Sequence, residues 1–251
     1  MRTGQISLQL YTVREETARD MPGTLRRISE IGYPAVEFAG YGDLSPGELR
    51  TILDDLGISA SGAHVPFDSW QTDPEAILTD MYTLDCVHAI VPSAPPEYRR
   101  DEAAVAGLAE SLNRWGELCR QGDVTLSYHN HDFEFAPLDG TTMWDVLVRE
   151  TDSELVSLEL DLYWIKYGGA DPETVMRDVG DRVRLVHLKD MAPDDTRSDL
   201  PVGEGTMPWR GLLEAAGAAG TEWYIAEQDN PRDALEDVRI SLQNLRELTS
   251  E

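Results

Sequence analysis

Short apolar segments alternate with stretches of helical periodicity along the whole chain. Eight segments have the length and apolar content of strands, at residues 6–10, 35–38, 58–65, 87–91, 124–129, 156–161, 183–188 and 223–227. Between them apolar residues recur every three or four positions, as at Leu25, Ile28 and Ile31, which predicts amphipathic helices. Eight successive strand–helix units predict a parallel sheet, and eight strands suffice to close a barrel.

Helix start and stop signals support this alternation. Ser45 and Pro46 begin the second helix and Gly57 ends it, while the first is expected from about Pro22 to Gly32. Later helices are expected from 73 onward and at 101–120, 142–149, 171–179, 207–219 and 233–248. The loop at 191–208 is rich in Asp, Pro and Gly, and is either a lid or a surface insert.

The expected fold is α/β, with a single (β/α)8 TIM barrel over residues 1–251. An open doubly wound sheet is the structural alternative. No GxGxxG sequence follows the first strand, and eight units exceed the five or six usual in such sheets. No Ser/Gly/Pro-rich linker divides the chain, so one domain is expected.

Composition narrows the classes of partner. The formal net charge of −26 would repel nucleic acid and anionic membranes, so we expect neither as a partner. The apolar runs are far shorter than the ~20 residues of a membrane-spanning helix, and the N-terminus does not resemble a signal peptide. Cys86 and Cys119 are too few for a disulfide framework. They predict reduced, mostly structural thiols in a cytoplasmic protein.

Polar residues end seven of the eight predicted strands. The strand ends are Gln9, Glu37, His64, the turn at Pro92 and Ser93, His129, Asp161, His187 and Glu227. In a parallel barrel these ends share one mouth, where active sites form. Asp161, His187 and Glu227 end strands six to eight, and Glu134 lies just beyond strand five. One such residue alone is more often a helix cap, but four on consecutive units predict one divalent metal ion, Mn2+, Mg2+, Co2+ or Zn2+.

Strand five offers two candidate metal ligands. His129 ends the strand and would point into the mouth, whereas Glu134 would have to fold back from the loop. We favour Glu134 as the ligand, because His129 is then free to act as an acid or base near neutral pH. The opposite assignment stays open. His131 shares the face of His129 by the two-residue period of a strand and would also approach a substrate.

Other residues near the mouth have two interpretations each. Lys189 follows the candidate ligand His187 on the same face, and would contact a substrate oxygen or form an ion pair with a nearby aspartate. His64 and Glu37 would bind substrate hydroxyls, or serve as structural hydrogen-bonding groups. Trp164 would form an apolar wall for a substrate, although packing within the barrel is the commoner role of such a residue.

Four motifs resemble the sugar phosphate isomerase/epimerase family within the xylose isomerase-like barrel superfamily. They are Tyr-His-Asn-His-Asp-Phe-Glu-Phe at 128–135, Asp-Leu-Tyr-Trp at 161–164, His-Leu-Lys-Asp at 187–190 and Glu-Gln-Asp at 227–229. The resemblance covers nearly the whole chain and is specific for the superfamily rather than for a substrate. It implies one divalent cation bound by Glu134, Asp161, His187 and Glu227.

The chain departs from the family's ketose 3-epimerases at two positions. Those enzymes have Glu where this chain has His129, and His where it has Trp164, so their symmetric pair of glutamate bases is in doubt here. The Tyr-His-Asn-His motif instead resembles a subgroup that includes inosose dehydratase-like proteins and lyases acting on 3-keto-glycosides.

The resemblance implies chemistry through a metal-stabilised enediolate. We expect first an isomerase or epimerase of a keto-sugar or keto-polyol, with Glu227 or His129 as the base and Lys189 near the developing oxyanion. A lyase or dehydratase acting by β-elimination on a 3-keto-glycoside or inosose is the alternative. A sugar-binding barrel without catalysis is the alternative of another class. The expected partner is a small carbohydrate, and assembly into a homo-oligomer is left open.

Overall fold

The computed structural model describes residues 1–250 and shows eight parallel strands that close into a barrel. The strands are β1 (Ile6–Gln9), β2 (Ala35–Phe38), β3 (Ser59–His64), β4 (His88–Val91), β5 (Thr125–His129), β6 (Val156–Asp161), β7 (Val183–Leu188) and β8 (Trp223–Ala226). Strand β1 pairs with β2 on one side and with β8 on the other, so the sheet closes on itself. The predicted (β/α)8 barrel is confirmed, and the open doubly wound alternative is wrong.

Ten α-helices accompany the strands of the described chain. They are α1 (Arg14–Ile31), α2 (Pro46–Leu56), α3 (Phe67–Thr72), α4 (Pro74–Leu84), α5 (Glu102–Gln121), α6 (Met143–Glu150), α7 (Leu162–Tyr167), α8 (Pro172–Val179), α9 (Trp209–Ala219) and α10 (Ala234–Ser250). Helix α1 begins at Arg14, before the expected start at Pro22. The residues ahead of Pro22 are also helical, apart from a kink at Asp20. The short helices α3 and α7 were not predicted, since six residues are too few to show a periodicity.

The strands carry apolar side chains toward the helices, and toward the barrel axis they carry small and polar residues together with buried apolar ones such as Leu185 and Ile225. Leu8, Val36 and Leu160 are fully buried parts of the apolar core. On the other face, the hydroxyls of Ser7 and Ser61 lie 2.6 Å apart and hydrogen-bond across the barrel. Because side chains alternate between the two faces of a strand, this polar face continues to the charged strand ends.

The loop after β7 is held in place by one buried carboxylate. Asp190 accepts hydrogen bonds from the backbone amides of Gly203 and Met207 and from the indole of Trp209. Asp199, further along the loop, accepts the amide of Asp229 from the segment after β8. The loop of residues 191–208 is therefore tied to the barrel at several points.

Across residues 1–250, no helix is both long enough and apolar enough to cross a membrane. The expectation of one domain included Glu251, which lies outside the described residues.

Candidate active site

Charged side chains gather at the C-terminal end of the barrel. The group comprises the carboxylates of Glu37, Glu159, Asp161, Glu227 and Asp229, the imidazoles of His64, His129 and His187, and the ammonium of Lys189. Burying so many charges is costly unless they pair with one another, and here they do. This group is called the strand-end cluster below.

Glu159 lies at the centre of the imidazoles. Its Oε2 atom is 2.7 Å from Nε2 of His64, 2.8 Å from Nδ1 of His129 and 3.3 Å from Nε2 of His187. The residue is fully buried. Our sequence prediction missed Glu159, because it considered only the last residue of each strand. The two-residue period through Ser157, Glu159 and Asp161 would have placed it on the inward face.

His187 uses both of its ring nitrogens. The Nδ1 atom lies 2.6 Å from Oε2 of Glu227, and the Nε2 atom lies 2.7 Å from Oε2 of Glu37. Glu37 also accepts a hydrogen bond of 2.7 Å from the amide of Gln9. Glu37 is therefore a fully buried support for the histidines, in line with its structural interpretation.

A glycine on β3 makes room for Glu37. A Cβ atom built on Gly62 would lie 2.6 Å from Oε1 of Glu37 and 2.8 Å from Cδ1 of Ile90. The pairing of β2 with β3 also shifts in register between Val36 and Glu37. The side chains of Glu37 and Ile90 thus occupy the space next to Gly62, and a side chain at position 62 would have to displace them.

Lys189 points into the cluster and pairs with three carboxylates. Its Nζ atom lies 2.9 Å from Asp161 Oδ2, 2.9 Å from Glu227 Oε2 and 2.8 Å from Asp229 Oδ2. The ammonium also lies 5.5 Å from the ring centroid of Trp164, which places that indole beside the cluster. The expected ion pair with Asp161 is present, and the inward orientation of Lys189 agrees with strand alternation.

Glu134 lies apart from the strand-end cluster. One carboxylate oxygen accepts the hydroxyl of Tyr128 at 2.7 Å, and the other accepts the backbone amide of His131 at 2.8 Å. Tyr128 precedes His129 on β5, so its side chain leaves the strand on the opposite face. The geometry therefore does not support Glu134 as a partner of Asp161, His187 and Glu227, because the ligand atoms that lie within 4.8 Å of one another at this site do not include its oxygens.

His129, unlike Glu134, lies within the strand-end cluster. Its Nδ1 atom faces Glu159, and its Nε2 atom lies 4.0 Å from Oδ2 of Asp161. If Nδ1 carries the proton donated to Glu159, Nε2 keeps a free electron pair. His131 stands next to it, with ring centroids 5.0 Å apart, and stacks on Phe133.

A cavity of about 290 Å³ opens onto the cluster. We call it the mouth cavity. Its charged and imidazole lining consists of His64, His129, His131, Lys189, Glu227 and Asp229. The structure thus brings five of the ten predicted site residues, His64, His129, His131, Lys189 and Glu227, to the lining of one cavity. Trp164 stands beside Lys189, whereas Glu37 lies beneath the cavity lining.

Burial and neighbouring charges separate the protonation states of these groups. Burial lowers the pKa of His129 well below its usual range and, with help from Lys189, that of His131 to about 4. Burial also opposes protonation of His64, but Glu159 and Glu37 outweigh it and raise the pKa of His64 to about 10. For Glu227, Lys189 and His187 outweigh burial and hold its pKa well below the usual range. At neutral pH the mouth cavity therefore presents an ionised Glu227 beside two neutral imidazoles.

The donor set fits a divalent cation. Ligand atoms of Asp161, His187 and Glu227 lie within 4.8 Å of one another, and all three side chains are buried. Oxygen and imidazole donors of this kind suit Mn2+, Mg2+, Co2+ or Zn2+. The ammonium of Lys189 already lies against two of these carboxylates, which shows that the position attracts positive charge. A second group, His64, His129, Glu159 and His187, is equally compact, but its imidazoles are directed at Glu159.

A closed barrel with a buried carboxylate–imidazole cluster at the C-terminal strand ends has the architecture of a (β/α)8 enzyme. The profile of the xylose isomerase-like TIM barrel family matches residues 25–248. The chain belongs to this family.

Several individual proteins are similar to the chain. An inosose dehydratase of Geobacillus kaustophilus (strain HTA426) is 26% identical over 222 residues, which cover 76% of this chain and 71% of that protein. A sugar phosphate isomerase/epimerase of Parabacteroides distasonis ATCC 8503 superposes with a TM-score of 0.85 at 24% identity, covering 98% of this chain and 94% of that one. The IOLI protein with a binding zinc atom has a TM-score of 0.74 at 13% identity, covering 98% of both chains. At these identities the two structures show the fold alone.

Proposed function

We propose that this protein is a metal-dependent lyase or dehydratase of a keto-sugar or keto-polyol. The observation that carries the proposal is the asymmetry of the mouth cavity: among its described lining residues, Glu227 stands with the imidazoles of His64, His129 and His131 and with no second glutamate. Elimination needs one base and a separate proton donor, whereas epimerisation needs matched groups on both faces of one carbon. The similarity to an inosose dehydratase supports the same choice.

Glu227 is the proposed base. Its Oε2 atom is held by Nδ1 of His187 and Nζ of Lys189, which leaves Oε1 to reach a substrate. Glu227 takes the proton from the carbon next to the carbonyl, and the released electron pair forms a carbon–carbon double bond. The bond from the adjoining carbon to its oxygen substituent breaks, and the leaving oxygen takes up a proton from the imidazolium of His64, which lines the same cavity. Against the effect of burial, Glu159 and Glu37 raise the pKa of His64 to about 10. Lys189 supplies positive charge near the oxygen that becomes negative.

Asp161, His187 and Glu227 are the proposed metal ligands. We propose His129 as the fourth ligand in place of Glu134, because its Nε2 atom lies 4.0 Å from Asp161 Oδ2. A bound Mn2+, or Mg2+, Co2+ or Zn2+ in its place, would polarise the substrate carbonyl and favour negative charge on its oxygen. The zinc atom bound by the IOLI protein, which has a similar fold, supports the proposal of a divalent ion.

Isomerisation or epimerisation is the second candidate. In this candidate His129 is not a metal ligand. The Glu159 hydrogen bond leaves a free electron pair on Nε2 of His129, which would then provide a second base in the cavity. In either case we propose a small carbohydrate as the substrate, neither nucleic acid nor membrane as a partner, and a cytoplasmic location.

Product analysis in deuterated water tests the proposal. The protein is incubated with Mn2+ and a panel of ketoses, inososes and 3-keto-glycosides, and the products are identified by NMR and mass spectrometry. We expect an unsaturated ketone together with released water or alcohol. A deuterated epimer or isomer would instead support the second candidate. Binding without turnover or deuterium uptake would identify a barrel that only binds sugars.

A further inference from the structure

A second cavity adjoins the mouth cavity. It has a volume of about 520 Å³ and is lined by the loop after β2 and by α3 and α4. We call it the side cleft. His64 and Pro66 line both cavities, so a ligand in the mouth cavity can extend into the side cleft past these two residues. The two cavities are therefore parts of one binding surface.

The sizes of the two cavities suggest a substrate of two parts. Binding sites for small molecules usually measure ~300–1,000 Å³, and the mouth cavity of about 290 Å³ lies at the lower limit. It offers room for one ring beside Glu227. A substrate with a single ring would leave the larger side cleft without contact, whereas a substrate with two rings would use both.

The lining of the side cleft suits a neutral sugar ring. Val65 and Ile77 provide apolar wall, and Tyr41 adds an aromatic ring that contacts Phe38 edge-on at 5.7 Å. Asp68, Asp73 and Asp80 provide acceptors for hydroxyl groups. Among the described residues that line the cleft, none is Lys or Arg. A phosphate or carboxylate group would meet the like charge of Asp68, Asp73 and Asp80 there, and the imidazole of His64 in the lining is already paired with Glu159.

We propose that the side cleft binds the second, neutral sugar ring of a glycoside, and that this ring is the group the reaction expels. This inference rests on the proposed lyase function. The linkage oxygen would then pass His64, whose Nε2 atom is engaged by Glu159 and whose Nδ1 atom is left for the linkage. The carbon–oxygen bond to the second ring breaks as the double bond forms, and the second ring leaves as a free sugar with a new hydroxyl group.

Another large cavity does not serve this purpose. It measures about 700 Å³ and lies against Tyr163, Trp164 and Tyr167. It shares no lining residue with the mouth cavity within the described chain. A ring bound there would have no direct connection to a ring beside Glu227.

A tryptophan placed in the side cleft tests the proposal. Ala76 lines the cleft from α4, whereas Thr79 is exposed on the same helix and does not line it. In Mn2+-loaded protein with Glu227→Gln, which slows turnover, calorimetry measures the Kd of 3-keto-cellobiose, 3-keto-maltose, 3-keto-trehalose and methyl 3-keto-glucoside. We expect at least one disaccharide to bind about tenfold or more tightly than the methyl glycoside. Ala76→Trp should remove this advantage, and Thr79→Trp should preserve it.

The outcomes test sugar binding in the side cleft separately from the proposed lyase reaction. Equal affinity for all four sugars, or an advantage that survives Ala76→Trp, would overturn the side cleft as a sugar site. Tighter disaccharide binding that is lost in Ala76→Trp but kept in Thr79→Trp supports the side cleft as a sugar site. This holds whether or not the protein with native Glu227 turns over the same sugars. If that protein binds the disaccharide without releasing a free sugar, the lyase proposal fails while the binding subsite stands.

Discussion

The Nδ1 atom of His187 lies 2.6 Å from Oε2 of Glu227, although 40 positions separate the two residues. The pairing of β7 with β8 explains the contact, because it sets His187 beside Ile225. Glu227 follows two residues later and so points to the same side of the sheet. The hydrogen bond orients one oxygen of Glu227 and makes both residues candidates for a shared ion.

Metal content tests the proposed ligands. The native protein, loaded with Mn2+ and desalted, should retain about one ion per chain. Asp161→Asn and His187→Gln should lower occupancy to roughly a tenth, since each removes a donor from a compact site. Elemental analysis gives the occupancy, and circular dichroism shows whether each variant is folded.

Glu134→Gln is the matched control for metal binding. Its carboxylate is engaged by Tyr128 and the amide of His131, so occupancy should equal that of the native protein. His129→Gln should lower occupancy if His129 is the fourth ligand. Metal loss in Glu134→Gln with full retention in His129→Gln would reverse our assignment on strand five.

Glu227→Gln tests the proposed base. The amide preserves shape but cannot accept the proton, so kcat should fall by a factor of about 10²–10⁴ at an Mn2+ concentration that keeps the variant's metal occupancy equal to that of the native protein, since Glu227 is also a proposed metal ligand. Exchange of the substrate's α-proton with deuterated water should slow equally. Asp229→Asn is a useful comparison, because Asp229 also contacts Lys189 but is not the proposed base. A larger loss in Asp229→Asn than in Glu227→Gln would contradict the assignment.

Glu159→Gln tests how the buried carboxylate positions the histidines. In the native protein one oxygen of Glu159 accepts hydrogen bonds from both His64 and His129. Glutamine has no negative charge, so it cannot hold the two imidazoles in the same way. We expect kcat to fall about 10–100-fold with KM within about threefold, as for other groups that orient reactive residues. Steady-state kinetics on a turned-over substrate provides both constants. A change in KM alone, or a fall in kcat fully explained by unfolding, would refute this positioning role.

The buried carboxyl group of Glu134 should make stability depend on pH. Burial raises the pKa of Glu134 to about 7 from its ordinary value of 4.5, against the opposing hydrogen bond of Tyr128. The folded state then binds more protons than the unfolded state between these values. The contribution of the protonated Glu134 carboxyl group to the free energy of unfolding is complete below about pH 4.5. It is lost as pH rises through about 7, a change of roughly 3 kcal/mol.

Glu134→Gln isolates this contribution. Glutamine resembles the protonated acid and does not titrate. As pH rises from 4.5 to 7, the unfolding free energy of the native protein should therefore fall relative to that of the variant. Urea unfolding at several pH values measures it. A difference that stays constant with pH would show that Glu134 is not buried as a raised-pKa group.

The alternation of strands and helices could be predicted from the chain alone because it depends on local periodicity. Each strand needs only a short apolar run, and each longer helix needs only apolar residues every three or four positions. The helices α3 and α7 escaped prediction because six residues do not establish such a period. Asp161 shows how local signals overlap, since it ends β6 and also caps α7 through the amide of Trp164.

The sequence by itself determined which residue types stand at the strand ends, and the order of the chain made Asp161, His187 and Glu227 neighbours once a barrel was assumed. Only the tertiary structure decided that Glu159 belongs at the centre and that Glu134 does not. Closure of the barrel sets His64 of β3 within 2.7 Å of Glu159 on β6, a contact no local pattern contains. Glu134 is instead drawn to Tyr128, because a buried carboxylate must find donors wherever the folded loop places it.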